Sequence, residues 1–302
     1  MKLPDNWVLF KSLVLEKIKV YCNTGIWPFD YDLFTSWLSN FDDKTDEYVA
    51  LHLLDSLIVR SNEMAVSGYS QLLKSDLRQH LIKNNLIDKN LSISSWTNAL
   101  KRGSLYTKLQ FIPIKLSNDH GESGGTIYRL MSKLMNTDRM SGSINDDIFG
   151  KTIVLIDDFI GSGEQFEEYA REINLGTLLK RNHIIYSPLL AFDAGLERLS
   201  KSFPDLTLMP VETIDRSEGV FMPGQNKELF RNDTENSVDD MVLHYSEMHK
   251  KYSPSMPFWR GKDDACLTLV FEWGCPNQTL SILWMEHTNK INNWQQLFSR
   301  RA

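Results

Sequence analysis

Cysteine is scarce. The chain has three, Cys22, Cys266 and Cys275, and no pair stands at CxxC spacing. An odd, scattered set argues against a disulfide framework or a cysteine zinc cluster and fits a reducing compartment. Positive charge is also short: 33 Lys and Arg face 39 Asp and Glu, a net charge of −6. Nucleic acid and anionic membrane surfaces therefore gain no general attraction. No apolar run approaches the length of a membrane-spanning helix. The opening segment, MKLPDNWVLFKSLVLEKIKVY, carries Asp5 and Glu16, where a signal peptide needs a continuous apolar core. No GxxxxGK[ST] sequence occurs, which removes P-loop NTPases. His244 and His249 are five apart and off a common helix face, so they form no metal pair. No proline-rich linker, internal repeat or low-complexity tract marks a boundary. The expectation is a cytoplasmic, soluble, mildly acidic protein without membrane partners.

What is present divides near residue 100. In the first third, Tyr48, Leu51, Leu54, Leu57 and Ile58 recur at three- and four-residue steps, the period of one buried helix face. YDLFTSWLSNF before them and GYSQLLKSDLRQHLIKNN after them repeat it, so Trp37 and Phe41 read as helix packing. From Leu109 the pattern alternates. The short apolar run LQFIPI is broken for helix by Pro113, and a glycine-rich turn and a helix follow it. Then come the strand TIVLID, the turn DFIGSG and the helix EQFEEYAREIN. The strand HIIYSPLLAF, the helix AGLERLSKSF and the strand LTLMPVETI complete the series. The implied fold class is α/β, a mostly parallel sheet flanked by helices, preceded by an N-terminal helical region. The pattern change places a helical region over 1–100 and the α/β domain over 101–302. A late helix is expected across SVDDMVLHYSEMHKKY, and strand-like CLTLVFEW and LSILWM flank a turn at GCPNQT.

The chemistry concentrates in KTIVLIDDFIGSGEQF, Lys151 to Phe166. An apolar run of this kind is the mark of a central parallel strand, and ligands bind at the carboxyl ends of such strands. Asp157 and Asp158 sit at that end. Two adjacent buried carboxylates need compensation from a metal ion, ligand hydroxyls or amides. Gly161, Ser162 and Gly163 permit close backbone approach to a ligand, and a helix starting near Glu164 would add an anion site at its N-terminus. The same residues also fit a plain buried strand with a polar turn and a capped helix.

The segment IVLIDDFIGSGEQ resembles the phosphoribosyl-diphosphate (PRPP) signature of type I phosphoribosyltransferases, an apolar strand, two acids and a small hydroxyl- and glycine-rich loop. That resemblance implies ribose binding by Asp157 and Asp158 and phosphate binding by Gly161, Ser162, Gly163, Glu164 and Gln165. It implies a suspected Mg²⁺ that Asp157 and Asp158 contact at most indirectly. Gly161 stands where purine salvage enzymes of the family place an aspartate general base, and Gln165 replaces the usual closing Thr or Ser. ESGGTIYR is similar to the family's pyrophosphate loop, implying roles for Ser123, Gly124, Gly125 and Arg129. A capped loop with Arg129 in solvent fits it equally. Lys115 is a weaker second cation candidate.

The tail PNQTLSILW, with SWLSNFDDKTDEYVALHLLDSL and DDFIGSGEQF, resembles the phosphoribosyltransferase-like proteins of prokaryotic conflict systems. This wider resemblance implies an effector in antiviral defence acting on a phosphoribosyl compound, alongside co-encoded defence proteins. Asn277 and Trp284 are candidates beside the ribose site, against the plainer reading of a turn and a core tryptophan. Three functions follow: an enzyme transferring or cleaving at the ribose anomeric carbon, a non-catalytic nucleotide sensor, and an assembly module whose helical and tryptophan-rich regions dock partners.

Overall fold

The computed structural model describes residues 1–117, 123–144, 148–221, 233–286 and 294–300, with Ser123 described by its backbone alone. The chain forms two compact units, one of Met1–Ser61 with Arg216–Arg301 and one spanning Asn62–Asp215. The change of pattern near residue 100 is therefore not the edge of a unit. The reason is packing: the helices over 62–102 lie on the sheet domain, and the chain's final segment packs with the N-terminal helices.

The first unit contains α1 (Trp7–Asn23), α2 (Tyr31–Leu38), α3 (Lys44–Asp55) and β1 (Ile58–Arg60). Asp43 caps α3 by accepting from the Thr45 and Asp46 amides, which satisfies two of the donors a helix start leaves open. An aromatic-rich core joins these helices to the C-terminal segment. Phe34 and Trp37 are fully buried, and the Trp37 indole donates to the Ile282 carbonyl at 3.2 Å. The helical-packing expectation for Trp37 and Phe41 holds.

The second unit begins with α4 (Asn62–Lys74), α5 (Asp76–Lys83) and α6 (Ile93–Arg102). Next come β2 (Leu109–Pro113), α7 (Ser123–Met131), α8 (Thr137–Met140) and β3 (Thr152–Ile160). Then follow α9 (Glu164–Glu172), α10 (Leu175–Leu179), β4 (His183–Phe192), α11 (Asp193–Ser202), β5 (Thr207–Leu208) and β6 (Glu212–Ile214). The sheet is parallel in the order β2-β3-β4-β5, with β6 also on β4. This is the expected α/β class. All nine residues of β3 are buried, as a central strand covered on both faces requires.

Four details depart from the sequence pattern. The strand TIVLID does not turn at Asp158 but runs on to Ile160, because Phe159 and Ile160 pair with Leu190 and Ala191 of β4. LTLMPVETI is two short edge segments. The Met209 amide donates to Tyr186 and the Val211 amide to Pro188, while Pro210 between them has no amide to give. The Ile58 region is strand rather than helix. It pairs in parallel with β7 (Leu269–Phe271), which follows the expected late helix, α12 (Val238–Tyr252). LSILWM contains a single 3-10 turn, Ser281–Leu283.

Candidate functional site

β3 and β4 carry the candidate site at their carboxyl ends. Asp157 and Asp158 are 2% and 0% exposed, so neither carboxylate survives there without partners. Asp157 Oδ1 accepts from the Asp158 amide at 2.9 Å, and its Oδ2 accepts from the Tyr186 hydroxyl at 2.9 Å. Tyr186 stacks on Phe166 of α9 at 4.1 Å between ring centroids. One aromatic pair thus ties the acid to the helix that follows the loop. The Tyr69 hydroxyl, brought in by α4, lies 3.1 Å from the Asp157 carbonyl and 2.9 Å from the Ser187 carbonyl. Burial, then the negative charge of Asp157, pushes both phenols well above the ordinary tyrosine range. Each stays a protonated donor at neutral pH.

The loop is built by close approaches. Gly163 has φ +82° and ends the loop one residue before α9, a conformation that costs an L-residue energy. Behind the loop stands α11. A Cβ on Gly195 would sit 2.2 Å from the Gly161 carbonyl oxygen, so only glycine lets the helix close there. The first-turn amides of α9 have no intrahelical acceptor. With the helix dipole, they make the loop an anion-compatible end. The Glu164 amide is 3.5 Å from the Ser162 hydroxyl, too long for a strong bond.

Glu164 puts a negative charge at the start of α9, beside the loop. Its carboxylate is bound by Arg198 of α11, Nη1 to Oε1 at 3.2 Å. The same guanidinium forks onto Glu167, with Nε to Oε1 at 3.0 Å and Nη2 to Oε2 at 2.6 Å. The hydrogen bond from Arg198 holds the Glu167 carboxyl below the ordinary glutamate range; burial opposes it, and the Ser202 hydroxyl adds to it. Gln165 is half-buried in the first turn.

The second glycine-bearing segment enters from α7. Gly124 is buried, and a Cβ there would lie 2.6 Å from the Ile114 carbonyl oxygen and 3.1 Å from that of Ile156. α7 therefore abuts β2 and β3 one residue before Asp157. Ser123 opens α7, with its side chain outside the described residues, as is the whole of Glu122. Gly125 is half-buried. Arg129 is exposed on α7 and donates to the Thr126 hydroxyl at 2.9 Å. Lys115 is exposed just beyond β2.

The structure thus brings Asp157, Asp158, Gly161–Gln165 and Gly124 to one end of one sheet. Asn277 and Trp284 belong to the other compact unit. Trp284 is buried and donates its indole proton to the Thr279 carbonyl, and Asn277 accepts from the Arg300 guanidinium at 2.7 Å. No cluster of three or more His, Cys, Asp or Glu able to hold a metal occurs among the described residues. His183 is the first residue of β4, and its Nε2 lies 2.7 Å from His80 Nε2.

Sequence reading missed Tyr69, Tyr186, Gly195 and Arg198. A tyrosine inside an otherwise apolar strand was the available signal, because a buried phenol needs an acceptor. A glycine one turn into the next helix was the other.

Among solved structures, the chain is similar to the AQ2163 protein from Aquifex aeolicus. The identity is 13%, the match covers 62% of this chain and 86% of that one, and the TM-score is 0.32. No curated protein matches. The PRTase-CE family model matches residues 34–300, nearly the whole length, and the chain belongs to the PRTase-CE family.

Proposed function

We propose that the chain binds a phosphoribosyl compound, PRPP or a nucleotide, at the carboxyl end of β3 and acts at its anomeric carbon. The observation that carries this reading is the junction at Gly163. A left-handed glycine there, backed by Gly195, opens α9 a few residues after two buried aspartates of β3. Amides at a helix start suit a 5-phosphate, and carboxylates suit ribose hydroxyls. Asp157 already accepts two hydrogen bonds within the fold. The Asp158 amide and the Tyr186 hydroxyl fix the orientation of this carboxylate, and an oriented carboxylate suits ribose hydroxyls. Arg198 offsets the charge of Glu164 at the loop's edge.

In the reaction, the bond from the anomeric carbon to its leaving group breaks and the leaving group departs with the electron pair. The ribose passes through an oxocarbenium-like state, and a base nitrogen or a water oxygen forms the new bond. The aspartates orient the sugar and oppose its developing positive charge. Mg²⁺ would arrive with the diphosphate, held mainly by the ligand's own oxygens and water, and would neutralise leaving-group charge. Asp157 and Asp158 would contact it at most indirectly.

Titration calorimetry with PRPP and Mg²⁺, and separately with nucleotides, tests binding. Wild type is expected to bind, and D157A/D158A to lose binding. Equal binding by both removes the proposal. Mass spectrometry of products then separates chemistry from sensing. The sensing reading is favoured by one observation, the absence of a side chain at Gly161 where a general base would stand. The tail and N-terminal motifs that resemble conflict-system proteins support an antiviral role beside co-encoded partners. Phage plating on cells expressing the chain with its neighbouring genes checks this, and protection should vanish with D157A/D158A.

A further inference from the structure

Away from the sheet's carboxyl end, the second unit has a concavity of about 120 Å³ between α4, α6 and the turn after α7. Its lining includes Leu73, Leu100 and Leu134, of which the first two are buried. Lys74, Lys101 and Lys133 surround it, one from each element, and all three are exposed. No acidic residue lines it. The ion pair closest to it is Lys133 with Glu63 at 3.9 Å, with both side chains more than half exposed, a geometry that contributes little. Neither Lys74 nor Lys101 has an ion pair among the described residues.

We propose that this groove docks a short acidic peptide segment of a partner protein, seating an apolar side chain on the leucines with flanking carboxylates on the three lysines. Charge complementarity selects the occupant. In a chain of net charge −6, three convergent cations over an apolar floor make a local positive field that a carboxylate-rich segment meets. A phosphate ligand is disfavoured by the lining. It contains no arginine fork and no glycine turn to present amides, the features that recognise phosphate geometry. The leucines would go unused by such a ligand.

The test selects a random short-peptide phage library against the full chain and measures the selected peptides by fluorescence anisotropy. Selected peptides are expected to carry Asp or Glu around Leu, Ile, Met or Phe, with affinity falling as salt is raised. K74E/K101E/K133E should weaken binding roughly tenfold or more. The control K89E/K180E/K201E makes the same change of net charge at exposed positions of the same unit and should leave binding unchanged. All six lysines are exposed, so both variants should keep the wild-type Tm. Three results overturn the proposal: no acidic enrichment or no selected peptide, equal loss in both triple variants, or displacement of the peptide by inorganic phosphate at matched ionic strength.

Discussion

Asp46 and Asp157 are both buried carboxylates, one in each compact unit, and the fold treats them differently. Asp46 accepts from His244 at 2.8 Å, from Lys251 at 2.7 Å and from the Tyr252 hydroxyl at 2.7 Å. Burial opposes its ionisation, but the hydrogen bonds from His244, Lys251 and Tyr252 outweigh it and hold its pKa at about 2. Asp157 accepts from a phenol and a backbone amide within its own sheet. The first arrangement saturates the acid with strong donors and fastens α3 to α12. The second fixes the acid's orientation near a strand end. If Asp157 serves a ligand as proposed, the two acids differ in the donors the fold supplies: charged side chains at Asp46, a phenol and an amide at Asp157.

Removing the saturated acid has the largest expected effect. D46A leaves a histidine, a lysine and a phenol without their shared acceptor, and disrupting a buried charged cluster costs about 3 kcal/mol. Lys251 is half-exposed and can regain water, so the loss should fall at the low end of that class. Urea denaturation of wild type and D46A measures it. A loss below that of an ordinary surface substitution breaks the comparison.

Acid should show the same acid at work with a smaller effect. The Asp46 carboxyl titrates near 2 folded and near 3.8 in its ordinary state. As pH falls, the unfolded chain takes up the proton first, so stability is lost. The contribution is fully present above about pH 4–5, declines as pH falls through the folded value, and amounts to about 2 kcal/mol. Subtracting the D46A stability-versus-pH curve from the wild-type curve isolates it.

Y186F should cost about 1 kcal/mol in stability, since one neutral hydrogen bond is lost and a buried carboxylate oxygen loses a donor. The ligand readout sharpens the comparison. If Tyr186 orients Asp157, Y186F weakens PRPP binding by more than its stability loss accounts for. If calorimetry shows unchanged affinity, Asp157 is as structural as Asp46.

Much of this was readable in advance, and the reasons differ by region. β3 announced itself because burial on both faces demands continuous apolar sequence, and its acids and glycines stand at one strand end by connectivity alone. Gly163 was recognisable as a turn residue. The end of the strand was not, because Phe159 and Ile160 are held by β4 rather than by any local preference. β1 continued a helical period through Ile58, and its partner β7 comes from near the other end of the chain. Non-local pairing leaves no trace in a local window. The unit boundaries were hidden for the same reason: α4–α6 share the helical texture of α1–α3 but belong to the unit that holds the sheet.

Arg198 should have the smallest effect on the fold and the most selective one on the site. It is exposed and its ion pairs lie at the surface, so R198A is expected to leave Tm unchanged within error. Its loss nevertheless releases the carboxylates of Glu164 and Glu167 at the start of α9, beside the loop assigned to the phosphate. Their repulsion should then weaken PRPP binding, and raising the salt concentration should narrow the gap from wild type, because exposed charges are screened. R198A/E164Q removes the nearer negative charge as well and should recover part of the affinity. Rescue by E164Q with no change in Tm would assign Arg198 to the loop's electrostatics. Weakened binding that E164Q does not rescue would assign it to packing of α11 against the loop.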